Sequence, residues 1–264
     1  MKIFVEGVGV LGPGLCGWQA SKAILAGTAA YIDAALVIPP NDLLPSAERR
    51  RTGPAVKIAL AVGCEAVAHA QRNASELPSV FASSAGEGEN MQAIFEALAA
   101  EGREISPTRF HNSVHNAPSG YWSIATRSMA PSISLACYDD SFVAGLIEAG
   151  VQAYTGEDTV VLMSYDTPYT HPVHDARPIS AGFGIGLVLT GNKTNRSLAG
   201  LEISISRNNG ASTPIANAQL ESLRLGIPAA RGLPLLAALA AHTQKQVRIN
   251  YVAGNQVNIV VQPC

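Results

Sequence analysis

Charge is scarce in this chain of 264 residues: Asp, Glu, Lys and Arg together make up 14% of it. The formal net charge is −2, and no basic run is longer than "ERRR" (Glu48–Arg51). So balanced a chain lacks the electrostatic footprint of a nucleic-acid binder or of a protein held on an anionic membrane. Long apolar runs are also missing, and none would span a bilayer. "MKIFVEGVGV" reads as a strand with an acid at Glu6, not as a signal peptide. Cysteine is sparse and scattered. Cys16, Cys64, Cys137 and Cys264 lie too far apart for metal-finger spacing or a disulfide framework. A reducing cytoplasm is the expected setting. Low-complexity segments and close internal repeats are absent too.

Apolar residues fill the space that charge leaves, at 47% of the chain. The length allows one large α/β domain or two small lobes with a substantial core. So apolar a composition suggests that a partner covers part of the surface, or an ordinary α/β protein rich in small Ala and Gly.

"KIFVEGVGVLG" (Lys2–Gly12) has the pattern of a buried strand running into a glycine turn. "GWQASKAILAG" (Gly17–Gly27) is helical and stops at a glycine. "LLPSAERRRTGPAVKIALAVGCEAVAHAQRN" (Leu43–Asn73) opens as a loop and becomes a long helix. "SVFASSAGEGEN" (Ser79–Asn90) is a strand opening into a small-residue loop, and "MQAIFEALAAEG" (Met91–Gly102) a helix. A helix after Pro118 leads to "PSISLACYDDSFVAGLIEAG" (Pro131–Gly150), a strand, a sharp turn and a helix with small residues on one face. "DTVVLMSYD" (Asp158–Asp166) is a buried strand, and "GFGIGLVLTG" and "LAGLEISISR" look like a strand pair. Two helical segments follow (217–226 and 232–244). "QVRINYVAGNQVNIVVQP" alternates on both sides of Gly254-Asn255, as a hairpin does. Alternating strands and helices predict a mixed or parallel sheet covered by helices.

Four motifs bear on chemistry. "GVGVLG" places Gly7, Gly9 and Gly12 in the G-x-G-x-x-G spacing after a strand, with Asp33 where a ribose-binding acid belongs. That supports an NAD-dependent oxidoreductase as one reading. Pro13-Gly14 stands where the phosphate-binding helix should begin, which weakens it. "SSAGEGEN" could form an anion nest, but Glu87 and Glu89 would repel a phosphate there, so a close-packed loop is expected. His111 and His115 lie four apart, and His171 and His174 three apart around Pro172. Neither pair has an acidic ligand at a matching interval, so no metal is expected. Cys137 stands just before a helix, where a dipole could lower a thiol pKa, and an active acyltransferase or condensing enzyme using it is a second reading. Counting puts Cys137 two residues early, still in the strand, with Asp139 on the turn. Asp139 or Asp140 could equally be the N-cap of that helix.

The segment "NAPSGYWSIATRSMAPSISLACYDDSFVAGLIEA" resembles the central segment of β-ketoacyl synthases, the condensing enzymes of the thiolase superfamily. Asn116 and Gly120 match the residues that open a helix, Ala130-Pro131 the Gly-Pro step, and Gly145 and Ala149 the small helix positions. In that register the family's catalytic cysteine is Asp139 here, and Cys137 is the fallback nucleophile. "IFVEGVGVLGPG", "RRRTGPAVKIALAVGCEAV", "VFASSAGEG", "GEDTVVLMSYD" and "ARPISAGFGIGLVLTG" resemble further pieces of the family's first half.

The resemblance implies a single thiolase-like α/β domain over 1–264, with a complete first half (1–190) and a truncated second half (191–264). The two histidines and the lysine that drive malonyl decarboxylation in the second half have no match here, since His242 in "AAHTQ" fits neither histidine motif. Without a thiolate and neutral histidines, condensation has no route. The short members resembled most are chain-length factors of aryl-polyene and xanthomonadin-type pigment pathways. These act as catalytically silent partners of a complete ketosynthase. The expected function is therefore a non-catalytic subunit, needing no cofactor, that forms a heterodimer with an active ketosynthase. Acyl carrier protein would act on it only indirectly, through that partner. Val114, His115 and Tyr138 are the expected residues of the interface or acyl pocket.

Overall fold

A computed structural model describes residues 1–40, 42–156, 159–207 and 210–264. In chain order its elements are β1 (Lys2–Gly12), β2 (Leu15–Cys16), α1 (Trp18–Leu25), α2 (Ser46–Arg51), α3 (Pro54–His69), β3 (Ser79–Ala82), α4 (Gly88–Ala99), α5 (Pro107–Asn112), α6 (Ala117–Thr126), β4 (Ser132–Leu135), α7 (Ser141–Gly156), β5 (Thr159–Asp166), α8 (Val173–Ala176), β6 (Phe183–Thr190), β7 (Ala199–Arg207), α9 (Ala218–Gly226), α10 (Leu233–Ala241), β8 (Lys245–Tyr251) and β9 (Asn255–Pro263). Asp158, the expected first residue of the strand now seen as β5, lies outside the described residues.

All the strands join one mixed sheet in the order β4-β3-β5-β6-β1-β7-β9-β8, with β2 hairpinned onto β1. β4, β3 and β5 are parallel, and the remaining pairs are antiparallel. The hairpin of β8 and β9 forms as its alternation predicts. β6 and β7, in contrast, are not partners of each other. β1 lies between them and pairs with both, Phe4 facing Thr190 on one side and Gly200 on the other. Alternation fixes which face a strand buries but not which neighbour it chooses.

β1 holds the register through a bulge between Val5 and Gly7. Ile3 and Val5 before it, and Val8 and Val10 after it, all enter the core shared with α7 and α10. A strict period of two would have sent one pair to the opposite face. The bulge turns Glu6 inward, where its buried carboxylate accepts from Arg72 Nε at 2.7 Å and Nη2 at 2.9 Å, and from the Thr194 hydroxyl. A bidentate guanidinium offsets much of the cost of burying that charge.

α3 covers the other face. A Cβ on Gly7 would lie under 3.0 Å from the Ala66 carbonyl oxygen, and one on Gly9 or Gly186 equally close to that of Val62. These glycines exist so that helix and sheet backbones can touch. That contradicts the dinucleotide reading of Gly7, Gly9 and Gly12. The three sit in a continuous strand with antiparallel neighbours, Gly12 meets the Phe183 ring, and the next helix waits until Trp18. A Rossmann site needs a parallel βαβ unit and a helix N-terminus at the third glycine. Asp33 lies in an irregular segment and is exposed.

Residues 191–264 extend the same sheet and share its core. Leu201, Ile203, Ile259 and Val261 pack with Val5, Leu146 and Leu187. No described helix is long and apolar enough to cross a membrane.

Candidate functional site

β4 forms one edge of the sheet, and α7 returns over β3 to reach β5. The elbow between β4 and α7 is the turn expected to carry the chemistry. Cys137 is past the end of β4, not within it, and precedes a single 3-10 turn at Tyr138–Asp140. Its backbone N–H donates to Ser141 Oγ at 2.9 Å, and that hydroxyl donates to the Tyr138 carbonyl at 2.7 Å. Ser141 thus ties the elbow to the first residue of α7. Tyr138 takes a left-handed backbone, φ 51°, which is strained for an aromatic residue.

The elbow carboxylates are held by arginines. Asp139 accepts from Arg177 at 3.0 Å and from Arg231 at 2.9 Å, and Asp140 accepts from Arg231 at 3.1 Å. The Arg177 guanidinium also lies 3.6 Å from the Tyr138 ring centroid, a cation–π contact. The two aspartates therefore bind side chains from the 167–182 loop and the 3-10 turn before α10, and Asp140 directly precedes the first residue of α7. A cavity of about 210 Å³ opens beside this cluster, between Tyr138, Pro178, Leu225 and Arg231.

Among the described residues, the arginines at the elbow bind Asp139 and Asp140, and no hydrogen bond joins one to Cys137. Burial, and then the Asp140 carboxylate, push its thiol pKa above the ordinary value. A nucleophilic cysteine needs the opposite field, from a histidine, a lysine or an unopposed helix dipole.

The other predicted residues lie one loop away, before α6. His115 Nε2 is 3.1 Å from the Ser83 carbonyl oxygen, so this ring fastens the segment to the end of β3. Val114 is exposed and lines a shallow apolar groove of about 180 Å³ with Ala117, Tyr121 and Ile124. Tyr138 is 65% exposed on the elbow and lines the separate cavity. The three residues thus do not converge on one pocket. His111 stacks edge-on against Tyr121, and the His171 ring pairs with Asp175 at 2.9 Å beside His174. No group of three or more metal-ligating side chains comes together among the described residues.

Sequence reading missed two buried carboxylates. Glu87, in the small-residue loop expected to be merely close-packed, accepts from the Val56 N–H at 3.1 Å in the first turn of α3. The protein's own carboxylate thus fills the anion position at that helix start. Asp166 ends β5 and accepts from Ser84 N at 2.8 Å, Ser84 Oγ at 2.7 Å, Ser83 Oγ at 3.3 Å and Ala229 N at 2.8 Å. It joins the β3 loop to the turn before α10. Burial pushes Glu87 up to about 7 and Asp166 up to about 6, against the pull of these hydrogen bonds. An acidic residue inside a Gly/Ser loop was the available signal, but sequence gives no burial for a loop.

These values set a pH dependence. The folded-state pKa of Glu87 lies above its ordinary 4.5, so folding favours the neutral acid. That contribution is complete below about pH 4.5 and is lost as pH rises through about 7. Between pH 5 and 8, Glu87→Gln should gain on wild type by up to ~3 kcal/mol. Diverging urea midpoints would report this, and parallel ones would refute it.

The chain matches the family model for the beta-ketoacyl synthase N-terminal domain over residues 18–247. No curated protein matches it. Three solved structures are similar along nearly the whole chain. The first is a ketosynthase (ApeO) in complex with its chain length factor (ApeC) from Xenorhabdus doucetiae, at 22% identity and TM-score 0.75, covering 98% of this chain and 99% of that one. Another is the ishigamide ketosynthase/chain length factor, at 15% identity and TM-score 0.71, covering 99% of each chain. A third is a type II polyketide synthase acyl-carrier protein in complex with its ketosynthase (AntDE:AntF), at 12% identity and TM-score 0.72, covering 100% and 99%. The mixed sheet with helices on both faces is thiolase-like, and this chain belongs to the beta-ketoacyl synthase N-terminal domain family.

Proposed function

We propose that this protein is a non-catalytic chain-length factor that pairs with a complete ketosynthase in the synthesis of a polyketide or aryl-polyene chain. The observation that carries the reading is the elbow. Where the family resemblance expects the nucleophile, Asp139 is locked between Arg177 and Arg231, and burial and the Asp140 carboxylate raise the pKa of the nearby Cys137 thiol. A carboxylate so paired is a poor nucleophile and offers no route to a stable acyl-enzyme. Two surface features support a partner. β4 is a free sheet edge flanked by the exposed side chains of Met129 and Ile133, and the Val114 groove runs along α6 nearby. An edge strand with apolar neighbours is a template for pairing with another chain. Acyl carrier protein would deliver its cargo to the partner.

Co-expression with a complete candidate ketosynthase, followed by gel filtration, tests the proposal. A single 1:1 species is expected, and two independent species would overturn it. The same sample separates the Cys137 reading. At pH 7.5, iodoacetamide should label Cys137 at least tenfold more slowly than the exposed Cys16 and Cys264. Fast labelling of Cys137, with acyl transfer lost in Cys137→Ala, would make the chain an enzyme.

A further inference from the structure

The largest cavity described lies at the end of β1, four strands across the sheet from β4, in a part of the fold that the partner proposal does not use. It has a volume of about 420 Å³ and sits between the ends of β1 and β2, the middle of α3 and the irregular segment after α1. Its walls are apolar, from Val37 and Pro39 on that segment to Ala61 and Val62 on α3. Size and lining fall within the range of small-molecule sites.

Two polar groups reach it. One is the Cys16 thiol, exposed at the rim. The other is the Glu65 carboxylate, whose Oε2 accepts from Val10 N at 3.0 Å and whose Oε1 accepts from Trp18 N. This carboxylate is built in. Gly17 has φ 89°, and a Cβ there would stand 2.8 Å from Glu65 Oε1, so only glycine lets the carboxylate reach the start of α1. Each oxygen uses one lone pair on the backbone and keeps another for a donor.

We infer that this cavity is a binding site for a small, mainly hydrocarbon molecule bearing one hydrogen-bond donor, a hydroxyl or an amine, directed at Glu65. A carboxylate ligand is excluded by like charge, and a donorless one forfeits the polar contact. Occupancy covers the rim and shields Cys16.

The test uses the full chain and a water-soluble maleimide, with modification of Cys16 and Cys264 followed by peptide mass spectrometry. Cys264 is exposed and outside the cavity, so it reports non-specific effects. 1-Octanol and octylamine should each slow Cys16 modification at least threefold, saturably, and leave Cys264 unchanged. Octanoate and methyl octyl ether should protect much less at equal concentration. Ala61→Phe fills the cavity from α3 and should abolish protection. Val37→Trp fills it from an exposed position and covers the case in which the first variant fails to fold. The proposal is overturned by non-saturable protection, by equal slowing at Cys264, by octanoate or the ether matching octanol, or by protection that survives in a folded filled variant. None of these outcomes depends on whether the chain pairs with a ketosynthase.

Discussion

Met129→Glu combined with Ile133→Lys is expected to abolish co-elution with the ketosynthase while leaving the isolated chain as stable as wild type. Met129 is 95% exposed just before β4, and Ile133 is 39% exposed on it, so neither supports the core. Surface substitutions of this kind usually cost within ~0.5 kcal/mol. In a complex paired across β4, both side chains would be buried. A charge placed there without a partner would cost ~2 kcal/mol or more per site. Together the changes should weaken association by roughly a thousandfold or more. Thermal denaturation of the free chain and gel filtration of the mixture read the two effects separately. A double variant that still co-elutes would move the interface elsewhere. One that unfolds would show that β4 supports the monomer.

The second large effect concerns the contact between β1 and α3. Gly9→Ala is expected to cost at least ~3 kcal/mol, beyond ordinary overpacking, because the atom it meets is backbone on a helix held by its own hydrogen bonds. The new Cβ would lie under 3.0 Å from the Val62 carbonyl oxygen, and Gly186 points at the same oxygen from β6. No side chain can rotate away there, so helix and sheet must separate. Gly120→Ala, on α6 with nothing within 4 Å of the added atom, is the matched control. It should be neutral or stabilise by up to ~1 kcal/mol through helix propensity. A denaturant midpoint for Gly9→Ala near that of wild type would contradict the close-approach account of "GVGVLG". It would also reopen the question of why those glycines are there.

The elements themselves were largely legible. Periodicity and glycine stops were enough to place α1, α3, α7 and the β8–β9 hairpin, because each depends on a local pattern. The central segment carried the family through its residue types, and the family model later covered it. The elbow was only half legible. The order of strand, turn and helix followed from "PSISLACYDDSFVAGLIEAG", whereas the pairing of Asp139 with Arg177 and Arg231 joins residues 38 and 92 positions apart. Separations of that kind leave no mark in a single sequence.

By itself, then, the sequence determined the segments, their apolar faces and the kind of fold they build, since these follow from backbone preference and burial over a few residues. Tertiary structure decided that β1 stands between β6 and β7, that a bulge at Glu6 swings both halves of β1 into one core, and that the "GVGVLG" glycines meet a helix and no nucleotide. It also decided that Glu87 and Asp166 are buried and Glu65 half-buried, each accepting backbone N–H groups remote in sequence. The reason is physical. Which strand becomes a neighbour, and which carboxylate finds a donor, depends on packing the whole chain into one dense core, where each group must satisfy partners that the local pattern does not name.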